Sequence, residues 1–197
     1  MAGPESALIG HYMELFARLD GSEWIVGESL CWTVVRPHTV DAVVRLIGGD
    51  PAAMTTACPA DLGWQDDQVF VEQRGDAVVL VGPSDAGQEE EKLRRLSSGG
   101  TVHQVLWMIN NYNRLIHVAD DVVITELDTL DPGRRWGADP DALDGHLGAL
   151  HDLDALEDAR GADADWPTAM ATMESITGVR LDADWFLRPR PLATITR

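Results

Sequence analysis

Residues 99–127, GGTVHQVLWMINNYNRLIHVADDVVITEL, constrain the fold more than any other part of this chain. The segment holds three short apolar, β-branched runs separated by two groups of turn-forming residues, Asn111–Arg114 and Asp120-Asp121. This spacing predicts three antiparallel strands joined by tight turns, because parallel strands need much longer connections. The rest of the chain must then supply the layers that cover this sheet.

The flanking segments predict helices and further strands around those three strands. Hydrophobic periodicity, N-capping residues and Gly or Pro stops delimit each of them. The predicted elements are a helix over 5–19, a strand over 29–36, a helix over 40–47, a short helix at 52–57 within a long connection, a hairpin over 68–82, a charged helix burying Leu93 and Leu96, the three strands, a helix starting at Asp139, a helix starting at Pro167 and a single turn capped by Asp182.

This order predicts an α+β fold, a mainly antiparallel sheet of about five to six strands covered by helices, with a C-terminal helical segment. Residues 1–187 are expected to form a single domain, of which about 139–187 is the helical part. Residues 188–197 contain two prolines and are expected to form an extended, mobile tail.

The charge balance narrows the choice of partner. There are 33 Asp and Glu residues against 15 Lys and Arg, which gives a formal net charge of −18 among 197 residues. The resulting negative electrostatic field disfavours binding to nucleic acid and to anionic membranes. It favours binding to a basic protein partner, or it serves only to keep the protein soluble. The oligomeric state is left open.

The cysteines and the apolar runs bear on the compartment. Two isolated cysteines, Cys31 and Cys58, do not make a disulfide framework, and Cys58 is either a reactive thiol or a small buried hydrophobe. No apolar run is long enough to span a membrane, and the first residues lack the basic region of a signal peptide. We therefore expect a cytoplasmic protein.

Several short motifs occur together in a familiar order: CWTVVR, LRRLSSGG, WMINNYNR, RRWGADPD and ITGVRLDADW. Their combination, over roughly residues 24–186, resembles an actinobacterial family of uncharacterised proteins of about this length. The resemblance agrees with the GC-rich genome that the use of Arg in place of Lys suggests, and it implies no activity.

Known cofactor motifs are not found in the sequence. The acidic run from Asp139 to Asp144 lacks the Gly and Glu that a calcium loop needs at its sixth and twelfth positions. The six histidines show no zinc-ligand spacing, and there is no phosphate-binding glycine loop or nucleophile elbow. We expect no metal and no cofactor.

Arg134, Arg135 and Trp136 form the densest cationic group in this acidic chain. Two guanidinium groups beside an indole ring can clamp a carboxylate or phosphate and stack against it. They can equally neutralise the acidic residues nearby in sequence, such as Asp128 and Asp139.

The two predicted turns also set a strand register. Met108 then lies opposite His117, which lies opposite Ile124, so that one face of the three strands is wholly apolar. The other face mixes apolar residues with polar ones. This mixed face carries Leu106, Met108, Val122 and Ile124 together with Asn110, His117 and Glu126.

In that register His117 and Glu126 are diagonal neighbours, with backbones about 7–8 Å apart. A carboxylate that orients an imidazole is suited to general acid–base catalysis. The alternative is a polar pair that simply satisfies itself at the end of a sheet. A change of one residue in the register would separate the two side chains.

Three functions remain open on these grounds, and the third is a structural or assembly subunit, which predicts a large exposed apolar patch. The first is a non-catalytic, acidic, cytoplasmic interaction protein with a regulatory or immunity-type role. The second is a small cofactor-independent enzyme of bacterial specialised metabolism that uses His117 and Glu126 in a pocket on the sheet face. In the second, Arg134 or Arg135 would bind the anionic part of the substrate, with Met108 and Asn110 nearby.

Overall fold

One antiparallel sheet forms the centre of the computed structural model, which describes residues 4–20, 28–63, 67–82, 89–110, 112–160 and 164–195. Its strands are β1 Ser29–Arg36, β2 Thr55–Ala57, β3 Gln68–Arg74, β4 Ala77–Gly82, β5 Thr101–Met108, β6 Tyr112–Ala119, β7 Val122–Leu127, β8 Arg135–Trp136 and β9 Arg190–Thr194. Within these residues the sheet has nine strands in the order β2-β9-β3-β4-β1-β5-β6-β7-β8.

Helices cover this sheet on both faces. They are α1 Pro4–Leu19, α2 Val40–Leu46, α3 Glu90–Leu96, α4 Gly148–His151, α5 Leu153–Arg160, α6 Asp165–Thr177 and α7 Ala183–Phe186. Short 3-10 helices occur at Pro51–Ala53, Pro59–Asp61 and Asp144–His146. The α+β class with an antiparallel sheet is therefore confirmed.

The predicted number of five to six strands is too small. The three additional strands are β2, β8 and β9, of which β2 has 3 residues and β8 only 2. Segments this short carry too few residues to show the two-residue alternation that identifies a strand. The long connection also differs from the prediction, because its helical part ends at Ala53 and residues 55–57 pair with β9.

The C-terminal segment was predicted to be a mobile tail, and for residues 190–194 this is wrong. β9 lies between β2 and β3, where Leu192 pairs with both Thr55 and Phe70. Leu192 and Ala193 are buried on opposite faces of the sheet, so successive residues of β9 pack into the apolar cores of both faces. The two prolines suggested a loop, but Pro191 pairs only with the three-residue edge strand β2.

Each face of the sheet has its own apolar core. Face A, as we call the side under α1, α6 and α7, buries Trp32, Trp107 and Trp185. Face B lies under α2 and α3, which cover Val35, Val102 and Val118. A third cluster extends face A at β6 and β7, and consists of Leu115, Leu127, Leu143, Leu147, Leu150 and Leu153.

We call the end of the sheet at the β5–β6 turn the distal end. The helices of face B pack on the opposite end, since α3 contacts the β6–β7 turn through Arg94 and Ser97. Among the described residues, the distal end of face B therefore has no apolar cluster of its own beneath α2 and α3. The predicted site residues have to be placed with respect to these two faces.

Candidate functional site

The register between β5 and β6 differs from the predicted one. Met108 pairs with Tyr112, and His103 pairs with His117. The prediction of Met108 opposite His117 is wrong, because the chain reverses between Met108 and Tyr112, ahead of the predicted turn. His117 is thereby moved away from the Met108 end of the sheet.

The register between β6 and β7 separates the predicted acid–base pair. His117 lies opposite Thr125, and Ile116 lies opposite Glu126. Residues next to each other on a strand point to opposite faces, so His117 is on face A and Glu126 is on face B. The predicted pairing of His117 with Glu126 is therefore wrong by one residue of register.

His117 is instead stacked on His103 across the β5–β6 pair. The ring centroids are 4.3 Å apart and the ring planes differ by 13°. Burial, the neighbouring His117 and the Arg36 cation lower the pKa of His103 to about 3, and burial also lowers the pKa of His117. Two neutral imidazoles result, and the buried Nδ1 of His117 has no hydrogen-bond partner. This pair lacks the carboxylate that the predicted mechanism needs.

The cationic triplet divides between the two faces. Arg135 pairs with Asp141 at 3.1 Å and also contacts Asp144, so it neutralises acidic residues, although not those suggested by the sequence. Arg134 is exposed, and its side chain makes no hydrogen bond or ion pair within the described part of the chain. Trp136 points to face B, opposite Glu126. The three residues therefore do not form one clamp.

Asn110 and Cys58 have local structural contacts. Asn110 is exposed in the β5–β6 connection, where its Oδ1 accepts a hydrogen bond from Tyr112 N at 3.2 Å. Cys58 is half-buried and its thiol donates to the carbonyl of Phe186 at 3.3 Å. Asn110 thus orders the turn, and Cys58 links the 3-10 segment to α7.

A row of side chains across four strands of face B brings together residues other than the predicted His117–Glu126 pair. Gln104, Ile116, Glu126 and Trp136 follow one another across β5, β6, β7 and β8 in direct register. Arg114 lies two residues before Ile116 on the same face, toward the distal end. Three predicted site residues, Met108, Glu126 and Trp136, therefore share this face.

Arg114 is the buried cation of this face, with 9% of its surface exposed. Its Nη2 donates to Gln104 Oε1 at 2.6 Å, and Gln104 Nε2 donates to Thr33 Oγ1 at 3.1 Å. Its Nε is buried without a hydrogen-bond acceptor. A neutral amide thus orients the guanidinium, and a donor is left over.

Glu126 and Trp136 are a cross-strand pair at the edge of the same face. Their Cβ atoms are expected about 4.5–5.5 Å apart in such a pair. Trp136 is 49% exposed, and Glu126 is half-buried with no ion pair to any cation among the described residues. Tyr112 at 47% and Ile109 at 70% add exposed apolar surface toward the distal end. The pair presents a carboxylate beside a solvent-exposed indole ring.

We call these residues the Arg114 site: Arg114, Gln104, Glu126, Met108, Tyr112 and Trp136. The sequence prediction missed Arg114 because it placed that residue in the turn. The alternation Arg114, Ile116, Val118 was the available signal, since it puts an arginine in line with two core positions. An arginine at a core position of a strand predicts a buried charge that needs a hydrogen-bond acceptor or an opposite charge.

Among the described residues, no group of three or more His, Cys, Asp and Glu side chains is arranged to hold a metal ion. No helix of the described chain is long and apolar enough to cross a membrane.

Comparison with known proteins yields a family match. Residues 20–190 match the model of a family of unknown function, DUF6461. Neither the curated proteins nor the solved structures contain a match to the chain. The site must therefore be interpreted from its own chemistry.

Proposed function

We propose that this chain, which belongs to the DUF6461 family of unknown function, is a non-catalytic, cytoplasmic interaction protein. Its partner is a basic protein that binds at Glu126 and Trp136. The role is regulatory or immunity-type, in which binding itself is the function. The observation that carries the proposal is the cross-strand pair of an unpaired carboxylate and an exposed tryptophan on face B.

The chemistry of this pair suits a cationic side chain. A Lys or Arg placed over an indole ring is attracted by the negative face of the ring, and tryptophan is the best aromatic residue for this contact. A neighbouring carboxylate adds a charge-assisted hydrogen bond. Half-burial of Glu126 strengthens this bond, because the local dielectric constant is lower than in water.

Charge at long range supports the same partner. The formal net charge of −18 attracts a basic surface and repels an acidic one before contact. Exposed aromatic residues near the centre of an interface commonly contribute most of its binding free energy. Trp136 and Tyr112 provide such residues within this acidic field. Both cysteines are free thiols, which is in keeping with a reducing compartment.

The enzyme hypothesis loses its mechanism. His117 and Glu126 lie on opposite faces of the sheet, and the stacked His103–His117 pair has depressed pKa values without an orienting carboxylate. No other observation in the described residues favours catalysis over binding.

The test uses the purified protein as bait in native extract. We expect Trp136→Ala and Glu126→Gln each to lose the basic partner, at a cost of about 1–2 kcal/mol or more per substitution. Two matched controls should keep the partner. Leu187→Ala removes an apolar side chain that is exposed to a similar extent, 46%, and Glu91→Gln removes one negative charge from α3.

The partner recovered in this way is then titrated directly against the same four variants. Equal affinity for all four would contradict the proposed surface. Recovery of no partner at any salt concentration would contradict the proposed function.

A further inference from the structure

The charge of Arg114 is uncompensated within the described part of the chain. No ion pair there includes Arg114, although the chain has 33 acidic residues. Glu126 is the acidic residue placed diagonally to it on face B, and the two form no ion pair. The one described side-chain acceptor is the neutral oxygen of Gln104, at 2.6 Å.

Such an arrangement is costly for an isolated protein. A buried charge is strongly destabilising unless an opposite charge accompanies it, and a buried donor without an acceptor adds to that cost. Met or Leu at position 114 would fill the same space beside Leu106 and Ile116 without either penalty. The arginine therefore indicates an anion that comes from outside the chain.

The donors of Arg114 point to the class of that anion. Nη2 is held by Gln104, and Nε–H is left without an acceptor, so the planar fork of the guanidinium is oriented but not saturated. A carboxylate matches this fork with its two oxygens. Phosphate also matches it in shape, but its greater charge is opposed by the net charge of −18 and by Glu126 nearby.

The surroundings of Arg114 point to the rest of the ligand. Toward the distal end its neighbours on face B are Tyr112, which is exposed, and Met108, which is half-buried. An aromatic ring and an unbranched, polarizable side chain adapt well to an apolar or aromatic body. On face B the side chains from Arg114 toward the distal end are thus apolar or aromatic.

We propose that Arg114 anchors a binding site for a monocarboxylate that carries an apolar or aromatic body. The carboxylate compensates the buried charge, and the body packs against Met108 and Tyr112. Within the Arg114 site, the monocarboxylate contacts Arg114, Met108 and Tyr112 and not the cation-binding pair Glu126–Trp136, so the proposal does not depend on the proposed function. The same carboxylate chemistry occurs in a free organic acid and at the carboxyl terminus of a peptide.

The experiment measures binding of phenylacetate to the full chain by NMR and by thermal unfolding. The signal is the Nε–H resonance of Arg114 in ¹⁵N-labelled protein, assigned by its loss in Arg114→Lys. We expect phenylacetate to shift this resonance and raise Tm, and neutral phenylacetamide to do neither. Phenylacetamide acting like phenylacetate, or an Arg114 signal that moves no more than those of exposed arginines, would overturn the proposal.

Variants give a second readout that does not depend on one substitution folding well. Arg114→Lys keeps the charge but loses the fork, so Kd should rise about tenfold or more, the effect expected for one charge-assisted hydrogen bond. Arg95→Lys on α3 is the matched control and should leave Kd unchanged. Glu126→Gln should lower Kd, the opposite of its expected effect on a basic partner. An unchanged Kd in Arg114→Lys would contradict the proposal.

Two further probes distinguish the sources and the class of the anion. A short peptide ending in Phe is compared as the free acid and as the amide. Binding of phenylacetate alone supports a free organic acid, and binding of the free-acid peptide, with loss in the amide, supports a partner's carboxyl terminus. Inorganic phosphate binding as well as phenylacetate would overturn the monocarboxylate assignment.

Discussion

At the scale of single residues, the stacked histidines make a prediction about pH. The pKa of His103 falls to about 3 in the folded protein, first through burial and then through His117, Arg36 and His146, whereas it is 6.5 in an unfolded chain. The unfolded state therefore binds more protons between these two values. Stability should be fully present above pH ~6.5 and should be lost progressively as the pH falls toward 3.

Urea unfolding at pH 7.5 and pH 5 measures this loss, in a range above most carboxylate titrations. In His103→Phe, which keeps an aromatic ring beside His117, the difference between the two pH values should shrink. In His151→Gln, where the replaced histidine is exposed, the difference should stay as in the wild type. A wild-type pH dependence retained in His103→Phe would show that the stacked pair is not its source.

A second prediction at this scale concerns the entry to β5. A Cβ atom on Gly100 would lie 1.9 Å from the carbonyl oxygen of Arg36, so the two backbones approach too closely for any side chain. Gly100→Ala should therefore lower the free energy of unfolding by more than about 2 kcal/mol. Gly145→Ala meets nothing within 4 Å and should change stability little. Equal Tm values for the two variants would refute the close approach.

At the scale of elements, Glu72 joins three parts of face A. Its carboxylate accepts hydrogen bonds from Arg74 on β3 at 2.7 Å, from Trp185 on α7 at 2.9 Å and from Arg190 on β9 at 3.0 Å. Glu72→Gln should destabilise the protein by about 1–3 kcal/mol, because the charge-assisted bonds weaken together. Glu126→Gln, at a carboxylate with no described partner, should be close to neutral.

The coupling energy between substitutions at Glu72 and Arg190 tests whether Glu72 links these elements. Glu72→Gln and Arg190→Met should be less than additive in chemical denaturation, since each removes part of one network. Strict additivity of the two free-energy changes would mean that β9 is held without this network.

The same elements show what the sequence could and could not predict. The six longer strands were predicted from their own residues, because runs of six or more residues rich in β-branched and apolar side chains between turn residues are a strong local signal. β9 was missed because its order comes from β2 and β3, more than a hundred residues away. The register of β6 was missed because the residues around Asn111 offer several turn positions. Relative to β7 the shift is one residue, and it places His117 and Glu126 on opposite faces of the sheet.

At the scale of the whole molecule, the net charge of −18 should act in opposite directions on the two proposed ligands. Added salt screens the long-range field, so association of a basic partner at Glu126 and Trp136 should slow markedly between low and physiological ionic strength. A monocarboxylate approaching Arg114 is repelled by the same field. Its affinity should stay constant or rise with salt, because screening removes repulsion while a buried contact is screened little.

Stopped-flow association rates for the partner and phenylacetate Kd values, both measured over a range of NaCl concentrations, test this opposition. The association rate of the partner must fall with salt while the affinity for phenylacetate stays constant or rises, if one acidic molecule carries both a cation-binding pair and a buried carboxylate anchor on face B. Parallel loss of both with salt would mean that the carboxylate binds at exposed arginines and not at Arg114.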